Sequence, residues 1–251
     1  MNGWVNGLLC NPAMRIYPPY TDTFFEKPGV YTFTVPRGAK RIDVTCIGGG
    51  GAGGVTGYDY GAGGTPGTGG DGGTGDMVHV KGYAVSPGMV FNLAVGAGGT
   101  LSLAAETSWF GEIAYAKGGE NGAEGAWSDL SNDIYAVVPG GKGGDGGIGG
   151  GRGDSGINRK GKDWGGGENG ADRLNWTAWT KAQWYCFGDM STGRRLGNAG
   201  DDYSSAGYPP RGRTDLPGRY FGRGGEGTKR KEWITRTDGG GGLVAVRVWY
   251  R

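Results

Sequence analysis

Apolar and polar residues alternate in several short stretches of this chain. In Val30-Tyr31-Thr32-Phe33-Thr34-Val35, the side chains of Tyr31, Phe33 and Val35 fall on one face, the two-residue period of a half-buried strand. Pro36-Arg37-Gly38 supplies a turn, and alternation resumes from Arg41 to Ile47 through Ile42, Val44 and Cys46, so the pair predicts a hairpin. Met77 to Val85 predicts another strand, ended by Ser86-Pro87-Gly88, and Met89 to Val95 the next. Ser108-Trp109-Phe110 through Tyr115 predicts one further short strand. From Leu243 to Tyr250, Val244, Val246, Val248 and Tyr250 alternate with Leu243, Ala245, Arg247 and Trp249, and apolar groups on both faces predict a central strand. One β-domain, 29–251, thus begins near residue 29 and closes only at the last strand. Residues 1–28, with Pro12, Pro18 and Pro19, read as an arm. Leu174, Ala178, Ala182 and Tyr185 recur at helical spacing ahead of Gly188, predicting at most one short helix.

Between the strands the period changes to three. Gly48, Gly51, Gly54 and Gly57 are in frame, as are Gly61, Gly64, Gly67, Gly70 and Gly73, and beside them Gly69, Gly72 and Gly75. The run from 140 to 156 repeats Gly-Gly-X with Lys142, Asp145 and Ile148 as X, and shorter echoes occur at Gly119, Gly122, Gly125 and at Gly222, Gly225. Three residues per turn is the polyproline II period, a helix without internal hydrogen bonds. Its backbone must therefore bond laterally to neighbours, and only glycine lacks the Cβ that would hold the neighbours apart. Ordering a residue opposes folding by about 1–2 kcal/mol, while a hydrogen bond returns a net of about 0.5–1.5 kcal/mol, so such helices stand only as an anchored bundle. At about 3.1 Å per residue, the stretch 61–75 would span roughly 45 Å. The fold expected is all-β: a small antiparallel sandwich of jelly-roll or TNF-like type. Polyglycine II helices are inserted at about 48–76, 118–125, 140–170 and 222–242, with an aromatic-rich insertion at 171–221.

Composition supports order. Glycine supplies 61 of 251 residues, but 29 residues are aromatic (7 Phe, 13 Tyr, 9 Trp) and serine occurs only nine times. Disordered chains are poor in aromatics, and flexible linkers mix glycine with serine. Proline, at 11, is too scarce for collagen. The net charge of +2 creates no global field toward nucleic acid or an acidic membrane. It is unevenly divided: residues 1–151 hold 8 Lys/Arg against 13 Asp/Glu, and residues 152–251 hold 18 against 11. That excess reads as a solvated basic surface or as a patch for an anionic partner such as lipopolysaccharide phosphate. Cys10, Cys46 and Cys186 have neither disulfide-framework nor zinc spacing. The first residues lack the pattern of a signal peptide, and no stretch is apolar enough to span a membrane.

Candidate chemistry is sparse, and no cofactor or metal is expected. His79, the single histidine, shares a strand pattern with Met77 and Lys81 and reads as a paired or exposed strand residue rather than a general base. Asp129, Asp133, Asp201 and Asp202 offer carboxylates for a glycosidase pair, but nothing in the spacing brings two together. Asp71, Asp76 and Asp145 do not repeat at the nine-residue interval of calcium-binding repeats. Gly48 to Gly54 is not followed by the lysine and helix of a phosphate loop, and Arg152-Gly153-Asp154 is the integrin tripeptide by chance. The aromatic set Trp176, Trp179, Trp184, Tyr185 and Phe187 is the best recognition candidate, because stiff aromatic faces dominate binding hot spots. Its alternative role is to seal the glycine bundle. Tyr58, Tyr60 and Tyr208 are further loop candidates. In the arm, Trp4, Leu8, Leu9, Tyr17 and Tyr20 either dock on another protein or fold back on the sandwich.

Tyr31-Thr32-Phe33-Thr34-Val35-Pro36 through Arg41-Ile42-Asp43-Val44-Thr45-Cys46-Ile47-Gly48-Gly49-Gly50-Gly51 resembles the glycine-rich domain of bacteriophage tail proteins. Val85-Ser86-Pro87-Gly88, Val95-Gly96-Ala97-Gly98-Gly99, Thr107-Ser108-Trp109-Phe110-Gly111 and the ending from Gly239 to Trp249 continue the resemblance, which covers about residues 29–125 and 239–251. The layout is also similar to the glycine-rich extracellular region of anaplastic lymphoma kinase-like receptors, which bears on the fold alone. The first resemblance implies a tail or tail-fibre component of a virion, made in the host cytoplasm. It would act as an adhesin on a bacterial receptor, an outer-membrane protein or a glycan, with other virion tail or fibre proteins as partners and no nucleic acid. A structural connector or decoration protein, a polysaccharide depolymerase and an ice-binding protein are the rival readings. The ice-binding reading is disfavoured because Lys142, Asp145 and Ile148 break any uniform face. The insertion at 152–238 departs from the resemblance and marks where specificity of its own would lie.

Overall fold

A computed structural model describes residues 19–56, 67–125, 140–150, 152, 166–173, 186–188, 192, 194–196, 220–225, 227 and 238–251. The chain is all-β, with almost no helix among these residues. Its strands are β1 (Tyr20–Phe25), β2 (Gly29–Thr34), β3 (Arg41–Ile47), β4 (Met77–Ala84), β5 (Val90–Val95), β6 (Ser108–Phe110), β7 (Ala114–Ala116), β8 (Arg195–Leu196), β9 (Tyr220–Phe221) and β10 (Leu243–Trp249). One antiparallel sheet has the order β1-β10-β3-β4 and the other β2-β5-β6-β7, while β8 and β9 form a parallel pair.

The alternation placed β2, β3, β4, β5 and β10 correctly, but the expected hairpin does not form. β2 pairs with β5, and β3 pairs with β10 and β4. The turn at 36–39 instead carries the chain from one sheet to the other, beside a similar crossover at 86–89. The Val35 N–H donates to the Met89 carbonyl at 2.8 Å, and the Gly88 N–H returns a bond to Val35 at 2.9 Å. The reason lies in the core. Phe33, Leu93, Val95 and Phe110 of one sheet share a buried cluster with Ile42, Val44, Cys46, Val244, Val246 and Val248 of the other. Pairing β2 with β3 in one sheet would leave these two apolar faces unable to cover each other. The expected single strand through Tyr115 is two, β6 and β7, joined by a tight turn at Gly111 with φ 51°.

Two further differences concern the ends of the domain. Residues 20–25, assigned to the arm, form edge strand β1 against β10, so the sheet begins before residue 29. β10 lies between β1 and β3 and is buried on both faces, as its doubly apolar pattern predicts. The expected helix is not supported at its described flanks. Asp172 makes a parallel bridge to Gly146, and Cys186–Gly188 is a 3-10 turn broken by Phe187 at φ 58°. Leu174, Ala178, Ala182 and Tyr185 lie outside the described residues.

The glycine runs project from the strand ends and bond side by side in a regular frame. Gly48, Gly51 and Gly54 donate to the carbonyls of Asp76, Gly73 and Gly70, so partner numbers fall by three as donor numbers rise by three. Gly119, Gly122 and Gly125 donate to Gly49, Ala52 and Val55, and Gly141, Gly144 and Gly147 to Thr68, Asp71 and Thr74, both in parallel sense. Gly72 and Gly75 reach Gly225 and Gly222, whereas Gly70 and Gly73 reach Ala123 and Glu120. Each frame of three therefore serves one neighbour. The segment 48–56 is bonded to 67–76, 96–106, 117–125, 222–227 and 238–242, which makes it the centre of the lattice. The part at 96–99 was not among the expected insertions. A methyl carbon on Gly51 would overlap the Glu120 carbonyl, and one on Gly122 the Gly70 carbonyl. The absence of Cβ is what permits this spacing.

Candidate recognition surfaces

The outer face of the first sheet is sealed. Ile47, Met77, Leu243 and Ala245 project there and are covered by Cys186, Phe187 and Phe221, with Phe24 and Ile148 packed around them. Thr45 organises the centre: its Oγ1 accepts the Phe187 N–H at 3.1 Å and lies 2.7 Å from Nδ1 of His79. Burial drives the His79 pKa below its ordinary value and the charge of Lys81 adds to this, outweighing the opposite pull of Asp43. Burial likewise pushes the Cys186 thiol up to about 12 and the Cys46 thiol higher still, so neither is a poised nucleophile. Arg247 spans the edge of this face. Its guanidinium forks onto Asp22 at 2.8 and 2.9 Å, 4.1 Å from the centre of the Tyr20 ring and 4.7 Å from that of Phe187. Trp249 donates its indole N–H to Asp43 at 2.7 Å, and Arg41 stacks on its ring.

This arrangement places one expected recognition residue, Phe187, and one residue of the arm, Tyr20. Phe187 is 7% exposed and packs against Phe24 and His79. The sealing role describes it, although it seals the sheet and not the glycine lattice, and a ring so buried offers no face to an outside partner. Tyr20, at the start of β1, stacks on Trp249 with ring centres 5.2 Å apart, so the end of the arm folds back on the sheet. Trp176, Trp179, Trp184, Tyr185, Tyr58, Tyr60, Tyr208, Trp4, Leu8, Leu9 and Tyr17 lie outside the described residues, as do Asp129, Asp133, Asp201 and Asp202.

The loop carboxylates tie segments of the lattice together. Asp71 accepts the Gly227 N–H at 2.7 Å, and Asp145 accepts the Ala171 N–H at 2.8 Å. That bond, with Lys142 at 3.2 Å, holds the Asp145 carboxyl below its usual range. Asp76 is shifted upward because burial outweighs the attraction of Arg173 and Lys117. Arg173 reaches past it to the Gly118 carbonyl at 2.6 Å. No group of three His, Cys, Asp or Glu among the described residues could hold a metal ion. No helix among them is long and apolar enough to cross a membrane.

Two places face outward. The first is the outer face of the second sheet, where Val30, Ala94, Trp109 and Tyr115 stand opposite one another in register across all four strands. Val30 is 76% and Tyr115 61% exposed, and Val90, 59% exposed, extends the apolar row. Thr32, Thr34 and Asn92 complete a face without charged groups. The alternation of Tyr31, Phe33 and Val35 points to the buried face and does not report this one. The signal was available in the apolar residues of the other set, Val30, Val90 and Trp109. The second place is the lattice end remote from the sheets. Gly48 follows β3 and Asp76 precedes β4, so residues 56 and 67, at the other ends of those segments, stand far from the sheets. Residues 125 and 140 are beside them, since Gly125 donates to Val55 and Gly141 to Thr68.

No curated protein matches the chain. The sequence profile of the glycine-rich domain matches residues 26–249, a span that includes every segment of the lattice and every strand except β1. The chain belongs to the glycine-rich domain family.

Proposed function

We propose that this chain is a non-enzymatic bacteriophage tail or tail-fibre component that binds a receptor on the bacterial surface. The observation carrying this reading is that residues 56, 67, 125 and 140 lie together at one end of a laterally bonded scaffold. We read that scaffold as polyglycine II and the two sheets as a sandwich of jelly-roll type. In such a helix, at about 3.1 Å per residue, the ten residues 67–76 hold the far end roughly 30 Å from the sheets. The chain between 56 and 67 carries Tyr58 and Tyr60, and the insertion carries Trp176, Trp179, Trp184, Tyr185 and Tyr208. Such residues supply wide, stiff contact surface to an outer-membrane protein or a glycan. Polarity supports the same reading. The Tyr250 N–H bonds to the Pro19 carbonyl at the opposite end of the molecule, where the arm with Trp4, Leu8, Leu9 and Tyr17 joins. Attachment to other virion proteins would use that end.

The test is binding of purified protein to cells of the host bacterium. The wild type should bind, and serine at positions 58 and 60 or alanine at 176, 179 and 184 should abolish binding with the thermal transition unchanged. Wild-type protein that ignores host cells although it is present in the particle would end the adhesin reading. A second reading, a structural connector without host contact, draws on the uncovered face of the second sheet, since a charge-free apolar row suits packing against another protein.

A further inference from the structure

Each sheet ends in two edge strands, whose outward N–H and C=O groups can pair with another chain unless they are guarded. The edges here are β1 and β4 in one sheet and β2 and β7 in the other. Three are guarded. β1 carries Asp22 at mid-strand, β4 is bulged at Lys81 and Gly82 opposite Asp43, and β7 is only three residues long. β2 differs: it runs six residues in unbroken register against β5, with no charge, proline or bulge. Its open groups follow from the ladder. The Gly111 N–H donates to the Asn92 carbonyl at 2.8 Å, so even-numbered residues of β5 face β6 and odd-numbered ones face β2. Leu93 and Phe91 stand opposite Tyr31 and Phe33. Val30, Thr32 and Thr34 therefore turn their N–H and C=O groups away from the sheet, and no described residue bonds to these groups. All three residues are exposed.

We infer that β2 is a dimerisation edge, which pairs antiparallel with β2 of a second copy of this chain and joins two four-stranded sheets into one. The strand matches itself about Thr32. A two-fold axis there sets Thr32 opposite Thr32 and Val30 opposite Thr34, so each open N–H meets an open carbonyl. It also sets Tyr31 opposite Phe33 on the inner face, and aromatic and Thr–Thr pairs are both favourable across strands. Pro28 and Pro36, which have no N–H, lie equally far from Thr32 and bound the paired stretch at both ends. Other registers lose bonds. An axis at Tyr31 sets Thr34 opposite Pro28, and one at Phe33 sets Val30 opposite Pro36, each leaving a carbonyl without its donor. Lys27 and Arg37 lie beyond the prolines, where the chain crosses to the other sheet, so no cation faces another within the pairing. The charge-free outer faces of the two copies then run together without repulsion. A strand of another protein would have to bring this pattern, whereas a second copy supplies it by symmetry. The inference goes beyond the proposed function and stands without it.

Sedimentation of the full-length protein over a range of concentrations tests this. The wild type should be a dimer that added salt leaves intact, since the paired stretch is neutral. Thr32→Lys brings two like charges together at the axis. It should raise the dissociation constant by about a hundredfold or more, and because the side chain is exposed the circular dichroism spectrum should be kept. Tyr115→Lys, the same change on β7 at the far edge of the same face, should have no effect. Thr32→Cys in a Cys10→Ser background should cross-link under mild oxidant, because Cα atoms of a bonded pair, about 5.5 Å apart, lie within disulfide reach. Tyr115→Cys should not. A wild type that stays monomeric overturns the inference, even if the edge then accepts a strand of another protein. A dimer that survives Thr32→Lys, or one that Tyr115→Lys dissociates instead, overturns it as well and moves the contact to another surface.

Discussion

The sheets and the glycine lattice bury their backbones by opposite means. In the sheets, side chains such as Ile42, Leu93, Phe110 and Val246 fill the space between two layers, and backbone pairing is confined to each layer. In the lattice there is little side chain to bury. Segments approach until the carbonyl of one occupies the space a Cβ would need on the next, and the bonds run to several neighbours around each chain. A sheet core can lose or rearrange methyl groups and relax in part. The lattice has no comparable slack, because what would have to yield is backbone already fixed by bonds on its other sides. The same chain therefore contains one region sensitive to what is removed and another sensitive to what is added.

The largest effect is expected from Gly51→Ala. The new methyl would separate segment 48–56 from 117–125 and strain the bonds Gly51 shares with Gly73 and Gly225, a destabilisation of about 4–5 kcal/mol. Denaturant unfolding measures it, and a loss below 1 kcal/mol, on the order of a surface change, would mean that the lattice is looser than described. Phe110→Ala removes the largest fully buried side chain among the described residues and should destabilise by about 3–4 kcal/mol. Its amide-exchange signature sharpens the contrast: protection should fall first in the strands, whereas Gly51→Ala should expose lattice amides first. Gly82→Ala separates two uses of glycine. A Cβ at Gly82 meets nothing within 4 Å, but its φ of 68° disfavours other residues, so the expected effect is only about 1 kcal/mol.

The smallest effect concerns His79. Its folded pKa is lowered by burial, so the unfolded chain binds the proton more tightly. The stability this contributes is complete above the ordinary histidine value of about 6.5 and is lost as pH falls through the depressed folded value. The thermal midpoint should decline on acidification from about pH 7, and His79→Gln should flatten that part of the profile. An unchanged slope in the variant would place the acid sensitivity in a group other than His79, and not in Asp76, whose raised pKa makes protonation favour the folded state.

How much could be read beforehand differs between the regions in the same way. Strands with one buried face declared themselves through Phe33 and Val35, and β10 through apolar residues on both faces. β1 did not, because Tyr20–Phe25 carries Thr21, Asp22 and Thr23 in an edge strand whose polar groups are satisfied across the sheet, as Asp22 is by Arg247. Glycine frames of three predicted lateral bonding, and each frame does face one neighbour. For the candidate surfaces, aromatic composition pointed to Phe187, yet the ring is interior because Thr45 captures its backbone N–H against the sheet. The apolar row on the second sheet is not legible in the alternation, which reports that a strand has two faces and leaves open which one a second layer will cover.

Local order is written in the chain itself: which stretches extend, where they turn, and that bare backbone every third residue must find partners sideways. Those features depend on neighbouring residues, whose sterics and hydrogen-bonding needs are fixed by identity. Partner choice was decided only on folding. β2 turned from β3 to β5, segment 48–56 took the central place in the lattice, and one sheet was covered twice while the other kept an open face. Such choices depend on how surfaces distant in sequence exclude water and satisfy backbone groups together, a condition no single segment carries.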